Sequence, residues 1–143
     1  MYYLEIKSFH SIIAYFTLVA ILVAIIYIGY AWLNKKPFSG EAKIIAQVAM
    51  GATHIQFLMG IILYIVSPLG LSNASAAAMQ DSVSRLYMLE HPLMMLMGVI
   101  FISIGFITSA KLSDDKEKQK KIVVFYSLGL LFILSRIPWN LWI

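Results

Sequence analysis

Hydrophobic residues gather into four long runs, at residues 11–33, 44–66, 93–110 and 122–143, separated by short polar segments. Each run is close to the roughly 20 residues that an α-helix needs to cross about 30 Å of hydrocarbon. The pattern predicts an all-α integral membrane protein: one four-helix transmembrane bundle with spans at about residues 8–33, 44–66, 86–110 and 122–143. The longest irregular segment, residues 67–80, opens with Ser67, Pro68, Leu69 and Gly70 and continues through Asn73, Ala74 and Ser75, all small, turn-forming or helix-stopping except the leucine. Asp81 is the expected N-cap of an amphipathic lead-in to the third span. That register sets Glu90 and His91 within one turn of the membrane boundary.

Composition agrees with the pattern: 61% of the residues are hydrophobic and 13% charged, far from a soluble domain's balance. The net charge of +4 does not point to nucleic acid, because eight of the eleven Lys and Arg residues lie in two loops. Lys35, Lys36 and Lys43 occupy the first, and Lys111, Lys116, Lys118, Lys120 and Lys121 the third. By the positive-inside rule these loops face the cytoplasm, so the bundle is expected N-out and C-out, in a bacterial cytoplasmic (inner) membrane. The N-terminus lacks the basic start and small-residue cleavage site of a signal peptide, so the first span is expected to remain as an anchor. Cysteine is absent, which removes disulfides, thiolate ligands and thiol nucleophiles.

Ionisable groups inside a bilayer are costly unless paired, buried in protein or wetted, so each is a candidate for function. His10 opens the first span above Ala14, Thr17, Ile21, Ala24 and Ala31 on one helical face. His91 opens the third above Met94, Met95, Gly98, Ile102, Gly105 and Ser109. Such narrow faces admit either a closely packed helix or a flat ligand. Neutral imidazole is a principal axial ligand of haem iron, and two histidines at similar depth on helices running the same way form a candidate bis-histidine clamp. His54 lies about ten residues from either end of the second span, roughly 15 Å deep at 1.5 Å per residue. Its face carries Gln47, Met50 and Gly51. Ligation and a hydrogen bond to a neighbouring helix weigh equally for it. Arg136, toward the outer end of the fourth span, is expected to face the bundle interior against an acidic group, either Glu90 or a ligand carboxylate such as a haem propionate. Eight methionines include Met94, Met95 and Met97 beside His91; thioethers can ligate haem or Cu(I) but more often fill apolar space. Pro92 and Pro138 each remove a helical hydrogen bond and free a carbonyl beside His91 and Arg136. Tyr64, Tyr87, Trp139 and Trp142 are expected in an interfacial aromatic belt.

Three segments, Phe9-His10-Ser11-Ile12-Ile13-Ala14-Tyr15, Thr53-His54-Ile55-Gln56-Phe57-Leu58-Met59-Gly60 and Leu89-Glu90-His91-Pro92-Leu93-Met94-Met95, carry a resemblance. They resemble small four-helix b-type membrane cytochromes and, more remotely, one half of a haem A synthase. The synthases have histidines opening alternate inward-running helices and a Gln-x-x-x-Gly pattern between; His10, His91, Gln56 and Gly60 are similar to that layout. The chain departs where the synthases carry an acidic residue three before the first histidine, which is Lys7 here, and an outer-loop cysteine pair, which is missing. The resemblance covers spans one to three and implies haem b with His10 and His91 on the metal, and electron transfer rather than catalysis; with the intramembrane ionisable groups, the candidate cofactor-binding residues are His10, His91, His54 and Arg136. Partners expected are the lipid bilayer, haem and either a homo-oligomer or a larger respiratory or haem-handling membrane complex. Two other classes remain open: a copper-handling membrane protein using His and Met, and a structural or assembly subunit whose polar residues lock helices together.

Overall fold

The computed structural model describes residues 2–142, and among these the chain is all-helical, with no strand. Four long helices dominate: α1 (Tyr2–Leu33), α2 (Gly40–Val66), α5 (His91–Ala110) and α6 (Asp115–Ser135). Between α2 and α5 lie a 3₁₀ turn (Leu71–Asn73), the short helices α3 (Ala76–Gln80) and α4 (Ser82–Arg85), and a π-helical turn (Leu86–Glu90); α7 (Trp139–Trp142) ends the description. Among the described residues, three helical segments are long and apolar enough to cross a membrane: Tyr2–Leu33, Gly40–Val66 and Ser82–Ala110. Their outward faces carry exposed Leu22, Ile26, Ile44, Leu58, Ile62 and Ile107, apolar surface compatible with lipid.

The fourth hydrophobic run is not one helix. Its apolar part within α6, residues 122–135, is shorter than a span requires, and the helix ends where Arg136 leaves helical geometry (φ −135°, ψ 27°). Pro138 is the cause. Its nitrogen cannot donate to Leu134, and the indole Nε1 of Trp139 donates to that carbonyl instead (3.2 Å). Pro92 acts in the same way: the carbonyl it frees, that of Met88, accepts from the Tyr64 hydroxyl (3.0 Å). The helix widens there into the π turn, with the His91 N–H reaching back to Leu86 O. Tyr64, which composition alone places in an aromatic belt, thus fixes the entry to α5.

The helix starts follow local chemistry. Ser39, Ser75, Asp81 and Asp114 each accept a backbone N–H three residues on, at 3.1, 3.1, 2.8 and 3.0 Å. The Ser84 bond also holds the Asp81 carboxyl below its ordinary range. Within the long second connection, Gly70 packs so closely on the Tyr64 carbonyl that any Cβ would overlap it.

In contact order the long helices run α1, α2, α5, α6 and back to α1, so α1 and α5 face each other diagonally. Packing is tightest toward the lysine-rich half, where Ile21, Ala24, Ile28, Ala42, Ala46, Ala49, Ile102, Ile122 and Tyr126 form most of the core. The Tyr126 hydroxyl donates to Ala46 O across it (2.6 Å). The glycine stripe of α5 belongs to this packing: a Cβ on Gly98 would meet Ile133 Cγ1 at 2.5 Å, and one on Gly105 would meet Phe125 Cβ at 2.6 Å. These glycines let α6 approach and leave no room for a flat ligand, which resolves the two readings of that face in favour of helix contact. The opposite half of the molecule is hollow.

Candidate functional site

The hollow is a cavity of about 450 Å³, within the roughly 300–1,000 Å³ typical of cofactor sites. Its walls are mainly apolar, with Leu18, Phe57, Met95, Leu96 and Ile133 among them, and both His10 and His91 line it. The two imidazoles approach from α1 and α5 with ring centroids 6.5 Å apart and planes 81° to each other. Two imidazoles bound at about 2 Å on opposite sides of one metal place their ring centres roughly 6 Å apart, and leave the angle between ring planes free. The observed separation is close to that figure.

His91 is fixed by the break in α6. Arg136 O has lost its helical donor and accepts the His91 Nδ1–H (2.8 Å). A carbonyl cannot donate, so Nδ1 carries the proton and Nε2 presents a bare lone pair, the arrangement that orients metal-ligating histidines. His10 is seated on α2. Its Cε1 would lie 3.3 Å from a Cβ placed at Gly60, so a side chain there would press on the ring. The Gln56 Nε2 donates to His10 O at 3.0 Å and lies 3.3 Å from each ring nitrogen. One donor equidistant from both nitrogens lies along neither in-plane lone pair, so neither ring nitrogen is consumed by it. Among the described residues Gln56 Oε1 is buried without a partner.

His54 is outside this cavity. Its Nδ1–H donates to Met50 O (2.7 Å), and the Ser103 hydroxyl lies 3.2 Å from its Nε2, tying α2 to α5. The same hydroxyl also lies 2.7 Å from Val99 O on its own helix, so its single proton serves one acceptor or the other. Arg136 also stands off the cavity: its Nε meets Glu90 Oε2 at 3.0 Å while Arg85 Nε holds Oε1 at 2.8 Å. Glu90 thus sits between two guanidiniums, and Arg136 serves the site through its backbone carbonyl. The α1 face below His10 divides, with Ala14 and Thr17 lining the cavity and Ile21, Ala24 and Ala31 buried against neighbouring helices. Met95 lines the cavity, whereas Met94 and Met97 do not.

Two residues emerge that the pattern of intramembrane charges did not single out as ligands' neighbours. Lys7, one turn outward of His10, lines the cavity and, among the described residues, has no carboxylate within ion-pair distance. Gln56 bridges α2 to the His10 backbone. The i, i+3 spacing of Lys7 to His10 was the available signal for the first. Among the described residues no group of three or more His, Asp or Glu side chains could hold a bare metal ion. A pair of histidines suits a metal that brings its own equatorial ligands, as in a porphyrin. No protein-family model, no curated protein and no solved structure matches this chain.

Proposed function

We propose that the chain is a haem b membrane protein of electron-transfer type, acting alone or as a subunit of a respiratory or haem-handling assembly. The reading rests on one observation: His10 and His91 face each other at 6.5 Å across an apolar cavity of cofactor size. In it, Nε2 of His91 and a ring nitrogen of His10 would hold the iron, and Lys7 at the mouth would meet a propionate. The bound group would supply a one-electron redox couple; the protein's part is to exclude water, orient the rings and set the charge around them. The copper reading draws on the same two histidines with Met88 and Met95, which also line the cavity, and metal analysis of the purified protein separates it from haem. Purified from cells making haem, the protein is expected to be red, with sharp low-spin bands on dithionite reduction. A colourless preparation that takes up no added haemin would sink the reading and leave a structural or assembly role.

The membrane arrangement that accompanies this proposal has four crossings, the last made by α6, the break at Arg136 and α7 together. Both termini lie on the outer face of a bacterial cytoplasmic membrane, because the lysines gather at the opposite end. An alkaline phosphatase fused after Ile143 is expected to be active and a green fluorescent protein at the same place dark. The reverse pattern would turn the site toward the cytoplasm.

A further inference from the structure

At the lysine-rich end, away from the histidines, α2, α5, α6 and the first loop enclose a second, smaller cleft of about 90 Å³. Lys43 and Lys118 stand on its rim, Ser109 and Ala110 form one wall, and Phe38 and Phe106 supply aromatic surface. No carboxylate lines it. The acidic groups nearby hold other donors: Asp115 Oδ2 accepts from the Phe38 N–H beside the cleft (3.0 Å), Asp114 caps α6, and Glu41 accepts from the Tyr27 hydroxyl (2.9 Å). Among the described residues the ion pairs are those of Glu90, at the far end of the molecule, so neither rim lysine is neutralised by a carboxylate. Lys118 is half-buried and leans toward the Phe38 ring, with Nζ 5.7 Å from the centroid, a contact that holds the ammonium without cancelling its charge.

We infer that this cleft binds the phosphate of an anionic glycerophospholipid. Two unneutralised ammonium groups meet the phosphodiester, and the cleft has room for that group but none for an acyl chain. The chains have a surface at hand, because exposed Ile44 follows Lys43 on α2 and exposed Ile107 follows Phe106 on α5, each next in the chain to a residue that lines the cleft. A basic pocket between membrane helices at the interfacial level is the recognised setting for headgroup binding. A soluble phosphate would use the lysines and leave the adjoining apolar surface unused, which is why a lipid is the better fit. This site is independent of any cofactor in the larger cavity.

Native mass spectrometry of the full chain in detergent, titrated with phosphatidylglycerol or phosphatidylcholine of identical acyl composition, tests the inference. Each lysine near a membrane surface contributes about fivefold, so the anionic lipid is expected to bind roughly thirtyfold more tightly, as a single adduct. The double variant Lys43→Gln/Lys118→Gln is expected to reduce it to the phosphatidylcholine level. Lys116→Gln/Lys120→Gln, which removes the same charge from the same end outside the cleft, is expected to retain it. Ala110→Trp fills the cleft from an exposed position with both rim lysines in place, and should abolish the adduct even if the lysine variant cannot be recovered folded. Equal affinity for the two lipids, equal loss in both lysine pairs, or retention in Ala110→Trp would each overturn the inference. Displacement of the lipid by millimolar inorganic phosphate would do so as well, by showing a free-anion site.

Discussion

His10→Ala and His91→Ala are each expected to lose the low-spin spectrum of the reduced protein, whereas His54→Ala is expected to keep both axial bonds. The expectation follows from where the rings lie. His10 and His91 share a cavity at 6.5 Å between centroids, and His54 spends both its nitrogens on contacts with Met50 and Ser103 outside it. Losing one axial ligand leaves iron five-coordinate and high-spin, a change read directly in the visible and electron paramagnetic resonance spectra. Exogenous imidazole should restore the low-spin form in His91→Ala, because the vacated space lies next to the unoccupied Arg136 carbonyl, which can take the added ring's N–H. Bleaching by His54→Ala alone, with His10→Ala and His91→Ala still low-spin, would move the site to mid-membrane. Unchanged spectra in all three would remove histidine ligation altogether.

Much of the architecture could be read before any coordinates, because helix starts and stops are local. Asp81 caps the helix that follows it, as expected, since a short acceptor side chain before an N–H with no partner is decided within four residues. The convergence of His10 and His91 could also be anticipated, as depth along a helix is a matter of counting at 1.5 Å per residue. What a helical face meets is a different kind of fact. Gly98 and Gly105 lie on the face of His91, and nothing in their spacing distinguishes a wall for a flat ligand from a seat for α6; Ile133 and Phe125 occupy the space. Prolines showed which carbonyls would be freed, at Met88 and Leu134, but not which side chains would reach them. Tyr64 comes from 24 residues away and Trp139 from 5, and only the folded chain brings the former to its acceptor.

Glu90→Gln is expected to weaken haem retention by about 10- to 100-fold, the usual cost of disturbing an outer-shell partner, with little change in thermal stability. Glu90 ends the π turn immediately before His91, and its Oε2 grips the side chain of the same Arg136 whose carbonyl receives the His91 Nδ1–H. Two contacts from adjacent residues of one segment therefore clamp the break in α6. The Arg136 side chain is 50% exposed and that of Glu90 30%, so solvent screens the pair and its direct contribution to folding stability is small. Its consequence is positional. With a neutral amide in place of the carboxylate, the ion pair that tethers Arg136 to the segment before His91 is lost, and the end of α6 is free to shift. The carbonyl moves with it, and His91 loses the partner that fixes its tautomer and aim. Haem transfer to excess apomyoglobin, followed in the visible, measures the effect as an accelerated off-rate. Arg85→Gln serves as the control, since the Glu90–Arg136 contact survives it and transfer should stay near the wild-type rate. If Glu90→Gln and Arg85→Gln accelerate transfer equally, the charge of the cluster governs retention and the clamp on Arg136 does not; if neither does, His91 is held by α5 alone.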